Sequence, residues 1–308
     1  AGLSQGQIEQ MVTATKALKA YQEEPSTKEE LESIPLLQRE DIDQKAQPFV
    51  ISERRVADTL VLQHDLFTNG IGYLNLLFDT KQVPYELLPY MGILKNVLGF
   101  ISTEHYSYGD LFNEINRNSG GIVTGVSSYA DAKQEGAYTL KFEVRTKVLY
   151  EKLDFAFRMI DEIIFTSDFT DAKRLYEIVA MLKSRIQMSM TSSGHSTAAL
   201  RALSYGSKTA KLSDMMSGLE FYRMIDRIES HFEEEKENLI ACLQKLMHHI
   251  FRPENLMVDY TANADGYAKL EQEIEPFKKK LYTDVVACAP YEIETVKKNE
   301  RFKTSSKV

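Results

Sequence analysis

Over residues 140 to 145 apolar and charged side chains alternate without a break, Leu140, Phe142 and Val144 against Lys141, Glu143 and Arg145. Successive side chains of a strand point to opposite faces, so this period of two predicts a strand with one apolar and one charged face. A sheet built on it must cover its apolar face with helices and leave the other polar. The same period starts upstream at Asp58. There Leu60 and Leu62 alternate with Thr59 and Gln63, and beyond Thr68-Asn69-Gly70 Leu74, Leu76 and Phe78 alternate with Tyr73 and Asn75. The turn residues between these runs predict a hairpin. Gly120-Gly121 leads into a further strand over about 121–129, the alternating strand spans about 137–147, and a short strand is expected at 256–261.

Helical spacing fills much of the remainder. Ser4 and Gln7 have capping-box spacing ahead of Ile8, Met11, Val12, Thr15 and Leu18, which predicts a helix over about 5–24 ended by Pro25. Ser26 and Glu29 signal a second, short helix that Ile34-Pro35 breaks, and about 34–50 reads as an extended connector. Further helices are expected over about 84–100, 107–118, 149–165, 170–191, 196–204, 231–250 and 264–281. Mixed order with a hairpin, rather than strict βαβ alternation, argues for an α+β domain on a largely antiparallel sheet with helices packed on one face. No fixed-period repeat is present.

The chain has 308 residues, of which 37 are basic and 45 acidic, giving a formal charge of −8 without a basic block. That balance argues against nucleic acid and anionic membranes as partners. Cys242 and Cys288 lack any spacing motif and read as thiols. With no signal peptide and no apolar stretch near the roughly 18 residues that span a bilayer, the chain is expected in the cytoplasm or an organelle matrix. It begins at Ala1 and runs at once into a helical pattern, as if an upstream portion were missing.

Several longer strings carry a resemblance. His64-Asp-Leu-Phe-Thr-Asn-Gly-Ile-Gly-Tyr-Leu-Asn-Leu-Leu-Phe-Asp79, Tyr106-Ser-Tyr-Gly-Asp-Leu111 with Gly120-Gly-Ile122, and Phe251-Arg-Pro-Glu-Asn-Leu256 follow Leu31, Ile34-Pro-Leu-Leu37 and Arg39-Glu-Asp-Ile42. In this order they resemble the middle of the presequence-protease subfamily of insulinase-type zinc peptidases. The resemblance implies a four-domain enzyme whose two halves, joined by a helical hairpin, close around a peptide-degrading chamber. On that map residues 1–49 correspond to the end of the hairpin linker and a connector. Residues 50–282 correspond to the third, non-catalytic domain, and 283–308 to a connector toward a missing fourth domain. The implied partners are the remaining domains of the parent peptidase and unstructured peptides as substrates.

The family's zinc sits on an H-x-x-E-H helix of the first domain, so the cofactor is expected there and not in this segment. The motif needs two imidazoles one helical turn apart with a glutamate as general base. No such string occurs here. Ile101-Ser-Thr-Glu104-His105 has isoleucine in place of the first imidazole, and the comparable helix around Tyr90 to Leu98 offers Tyr90, Ile93 and Leu94. The distal glutamate ligand and the fourth-domain arginine and tyrosine would lie outside the segment, so no catalytic or metal-binding residue is assigned.

Other constellations carry bland readings. His248 and His249 point about 100° apart on a helix. His231 and Glu235 share a face within an acidic turn. Gly206-Ser-Lys-Thr209 departs from a phosphate loop at Ser207 and Arg201, and Ser193-Gly-His-Ser196 lacks a nucleophile elbow. The methionines at 181, 188, 190, 215 and 216 read as core and contact filler. What remains is the polar sheet face, with Tyr73, Asn75, Lys141, Glu143 and Arg145 as candidate contacts for a peptide. Two readings of it stand, a chamber wall and a solvated face. At the level of the whole protein the segment belongs to an oligopeptide-degrading zinc protease, to a catalytically dead relative serving as a structural or peptide-binding subunit, or to an unrelated α+β interaction module.

Overall fold

In a computed structural model that describes residues 2, 4–46, 48–287 and 291–298, burial follows the alternation at Leu74, Leu76 and Phe78 and at Leu140, Phe142 and Val144. It reverses the alternation in the first expected strand, where Thr59, Val61 and Gln63 are buried and Leu60 and Leu62 only partly so, because Val61 is the residue that falls in line with Val258 and Leu76 on the core side. The chain divides into two units, 1–49 and 50–308. In the first, α1 (Gln5–Glu23) opens on a Ser4/Gln7 capping box, and α2 (Lys28–Glu32) is capped by Thr27 with Glu30. The second cap therefore lies one residue beyond the expected Ser26/Glu29 pair, because the Glu30 side chain reaches back to the Thr27 N–H at 2.7 Å.

The second unit runs β1 (Ser52–Val56), β2 (Thr59–His64), β3 (Ile71–Asp79), α3 (Leu88–Val97), α4 (Tyr108–Asn118), β4 (Ile122–Ala130) and β5 (Tyr138–Leu149). Then follow α5 (Leu153–Phe165), α6 (Ala172–Ser192), α7 (Gly194–Leu203), α8 (Lys208–Ser217), α9 (Leu219–Ser230), α10 (Phe232–Ile250), β6 (Leu256–Thr261) and α11 (Ala264–Lys278). The strands form one sheet in the order β1-β2-β6-β3-β5-β4. Every pairing is antiparallel except β2 with β6. An α+β fold on a mostly antiparallel sheet is thus what the sequence patterning leads to.

The expected hairpin also fails. β2 and β3 do not form a hairpin, because β6 lies between them, parallel to β2 and antiparallel to β3. The Asn69-Gly70 turn is real, with φ of 51° and 81°, but the Gly70 carbonyl accepts from the Tyr150 N–H at 2.9 Å. The turn extends the β3–β5 ladder instead of starting a β2–β3 one. The hairpin that does form joins β1 to β2 through Ala57 and Asp58, whose φ values of 47° and 61° match the two left-handed positions of a type I′ turn.

Two helices escaped the sequence reading, α8 and α9. The Ser207 side chain caps α8 by accepting from the Ala210 N–H. Gly218, with extended backbone at φ −98° and ψ −150°, separates the two, and a Cβ there would stand 2.4 Å from the Asp214 carboxylate. The core lies between the helices and the side of the sheet that carries Leu76, Phe78, Phe142, Val144 and Val258. Phe251, just beyond α10, packs edge-on against Phe78 at 4.9 Å and Phe142 at 5.5 Å.

Candidate functional site

The positions of α3 that would be zinc ligands in the comparable catalytic helix are core positions. Tyr90, Ile93 and Leu94 are buried, and the Tyr90 hydroxyl accepts from Asn238 at 3.3 Å. Apolar side chains and a phenol pushed up in pKa by burial do not fit a zinc ion. Ile101 is likewise buried, and His105 lies in a loop fastened to α5, its N–H and Nδ1 each 3.0 Å from the Glu162 carboxylate. Among the described residues no group of three or more His, Cys, Asp or Glu could hold a metal, and no helix is long and apolar enough to cross a membrane.

The remaining constellations have structural partners. His248 contacts Asp284 at 3.0 Å, while His249 is buried and its pKa is lowered by that burial. Glu235 pairs with Arg227 rather than His231. Arg201 forms a 2.5 Å ion pair with the fully buried Asp214. Ser193 is the junction between α6 and α7. Met190, Met215 and Met216 are core, whereas Met181 and Met188 are exposed. Cys242 is a free thiol; Cys288 lies outside the described residues.

The face of the sheet away from the core carries the predicted polar residues in register. Asn75 stands opposite Arg145 and Asp259, Tyr73 opposite Lys147 and Thr261, and Asp79 opposite Lys141. Their environments differ. Tyr73 and Arg145 are exposed. Lys141 is tied to Asp79 at 3.0 Å with both side chains mostly covered. Asn75 is half-buried, and its Oδ1 has no partner among the described residues.

Glu143 departs from expectation: it points to the polar side but is only 2% exposed. Tyr129, on β4, lies over it and donates its hydroxyl to Oε1 at 2.7 Å, and the Arg145 Nε is 3.6 Å from Oε2. Burial, then the Glu143 hydrogen bond and charge, push the Tyr129 phenol up to about 12. Glu143 is therefore a buried, hydrogen-bonded carboxylate and not an open contact residue.

Residues the sequence reading left out complete this face. His64 Nε2 lies 3.1 Å from the Asp259 carboxylate, whose pKa is raised by burial against the opposing charge of His64. Tyr73, Asn75, Val123, Arg145, Lys147 and Asp259 line a shallow hollow of about 370 Å³. The pairing of β6 beside β3, which brings in Asp259, was the missing information. The hollow presents hydrogen-bond donors, acceptors and both charge signs, and brings no nucleophile and base together. It can hold a polar, extended ligand but shows no arrangement for bond cleavage.

Comparison with known proteins gives a consistent picture. Residues 1–228 match the family of associated domains of M16 peptidases, subfamily C. The chain is 32% identical over 301 residues to Protein HypA of Clostridium perfringens, covering 98% of this chain and 31% of that protein. It is 26% identical over 278 residues to Presequence protease 1, chloroplastic/mitochondrial, of Arabidopsis thaliana, covering 90% of this chain and 26% of that one. The chain thus spans under a third of these curated relatives. Among solved structures, the peptidase M16 inactive domain from Pseudomonas fluorescens aligns with a TM-score of 0.50 at 14% identity, over 79% of this chain and 53% of that one. At that identity the likeness shows a shared fold alone.

Proposed function

The chain belongs to the family of domains associated with subfamily C of the M16 peptidases, and from that premise we propose that it is a non-catalytic part of a longer zinc peptidase that degrades oligopeptides in an enclosed chamber. In this reading residues 1–49 are the end of a helical linker, 50–282 a third domain, and 283–308 a connector to a fourth. The zinc would belong to another domain, where an H-x-x-E-H helix would supply ligands and base. The chain's own contribution is a wall that holds unstructured peptide.

The observation that carries this reading is the polar sheet face. One side of the sheet is packed under helices, while the other keeps Tyr73, Arg145 and the hollow beside them accessible. Such a face can engage a peptide through amide hydrogen bonds and loose charge contacts without chemistry of its own. These contacts lie away from the reacting bond, so they would stabilise ground and transition states alike. In the full-length protein the pair Tyr73→Ala and Arg145→Ala is expected to raise KM for an unstructured peptide while kcat holds. Kinetics identical to the unsubstituted protein would return the face to plain solvent exposure.

A further inference from the structure

The two edges of the sheet are built differently. β1 is five residues long and includes Glu53, Arg54 and Arg55, the kind of charge that discourages a further strand from pairing. β4, at the opposite edge, runs nine residues, Ile-Val-Thr-Gly-Val-Ser-Ser-Tyr-Ala, with no charged side chain and no proline.

The ladder fixes where the β4 backbone groups point. Asp131 donates to the Ala137 carbonyl at 3.0 Å, and in an antiparallel pair the residues that bond across alternate with those that do not. Val123, Gly125, Ser127 and Tyr129 therefore bond to β5, while Ile122, Thr124, Val126, Ser128 and Ala130 turn N–H and C=O outward. The β3 side agrees, because Thr80 donates to Leu140 and Tyr150 to Gly70, which commits the even-numbered residues of β5 to β3. Among the described residues no hydrogen bond reaches the outward backbone of β4; the Thr124 hydroxyl donates to the Lys95 carbonyl at 2.7 Å and leaves its own backbone free. Nor does the helix layer close fully over this edge. Thr124 and Val126 stay partly exposed although their partners on β5, Val144 and Phe142, are buried.

We propose that the outer edge of β4 binds an extended peptide by strand addition, which rests on the wall reading above and names how the wall would hold its peptide. Outward donors and acceptors repeating at strand spacing are matched by another extended backbone. An uncharged edge imposes little side-chain selection, which suits diverse unstructured peptides. Val123 and Tyr129 are exposed beside it, and Val123 also lines the hollow, so a peptide on β4 runs alongside the polar face.

The test is hydrogen exchange on the 308-residue chain with and without a synthetic unstructured peptide. Amides of Ile122, Thr124, Val126 and Ser128 are expected to slow on peptide addition. N-methylating alternate peptide amides on the set that faces β4 is expected to weaken binding by on the order of tenfold or more, from several lost hydrogen bonds. Methylating the other set leaves binding unchanged. Ser128→Pro, which removes an outward N–H without touching the β5 ladder, is expected to weaken binding in the same way. Indifference to both methylation patterns with β4 unprotected overturns the proposal. If the peptide still binds and Tyr73→Ala with Arg145→Ala weakens it, strand addition fails and the wall reading survives. If no peptide binds the chain, strand addition fails, and the wall reading is decided by the KM of the full-length protein carrying Tyr73→Ala and Arg145→Ala. Protection of β4 without peptide in a chain that sediments as a dimer assigns the edge to a second copy and likewise overturns the proposal.

Discussion

On β5, Leu140, Phe142 and Val144 are 5%, 0% and 1% exposed beneath the helices, whereas across the strand Lys141, Glu143 and Arg145 meet three different surroundings. The apolar face is uniform because hydrophobic burial is non-directional, so any close-packed helix layer satisfies it. The polar face is graded because each charged group is settled by its own partner: Asp79 for Lys141, Tyr129 for Glu143, and largely water for Arg145. Alternation sets which way a side chain points, and cross-strand neighbours set whether it is reachable.

The largest effect expected from this contrast lies on the packed face. Phe142→Ala removes a fully buried ring held by Phe251 at 5.5 Å, and is expected to cost about 3–5 kcal/mol in urea denaturation. A loss under about 1 kcal/mol would mean that the helix layer collapses freely onto the sheet, and the contrast between the faces would dissolve.

Glu143 tests the middle of the range. Glu143→Ala leaves the Tyr129 hydroxyl and the Arg145 guanidinium without their carboxylate and is expected to cost about 1–3 kcal/mol, far more than an exposed strand position would. The same pair predicts a pH dependence. With the folded phenol of Tyr129 raised from 10.0 to about 12, its contribution to stability is complete below about pH 10 and is lost as pH rises through about 12. Glu143→Gln is expected to lower the Tyr129 pKa, seen by spectrophotometric titration of the phenol. An unmoved titration would deny the hydrogen bond its role.

These outcomes also mark what the sequence made legible. The period of two placed Leu140, Phe142 and Val144 correctly and turned Lys141, Glu143 and Arg145 to the other side, because direction in a strand is local. The covering of Glu143 by Tyr129 was not legible, since those residues meet only once β4 and β5 are in register. The insertion of β6 between β2 and β3 hides for the same reason: strand order is decided by pairings far apart in sequence, and a Thr-Asn-Gly turn is compatible with either order. The helices α8 and α9 were missed where Asp214, a charged residue, is wholly buried against Arg201, which breaks the apolar pattern that marks a packed helix face. Of the candidate site, Tyr73, Asn75 and Arg145 were readable as strand positions, while Asp259 and Val123 needed the tertiary neighbours.

The smallest effect is expected at Arg145, and it decides what compensates the buried carboxylate. Its side chain is 56% exposed, and its Nε stands 3.6 Å from Glu143, a distance at which a solvated ion pair contributes little. Arg145→Ala should therefore change stability by no more than about 0.5 kcal/mol. Tyr129→Phe, which deletes the 2.7 Å hydrogen bond to the same carboxylate, should cost about 1 kcal/mol. If the order reverses, so that removing the guanidinium costs more than removing the hydroxyl, Glu143 is held by charge rather than by its donor. Arg145 would then be committed to the fold, and a peptide lying in the hollow would have to compete with Glu143 for it.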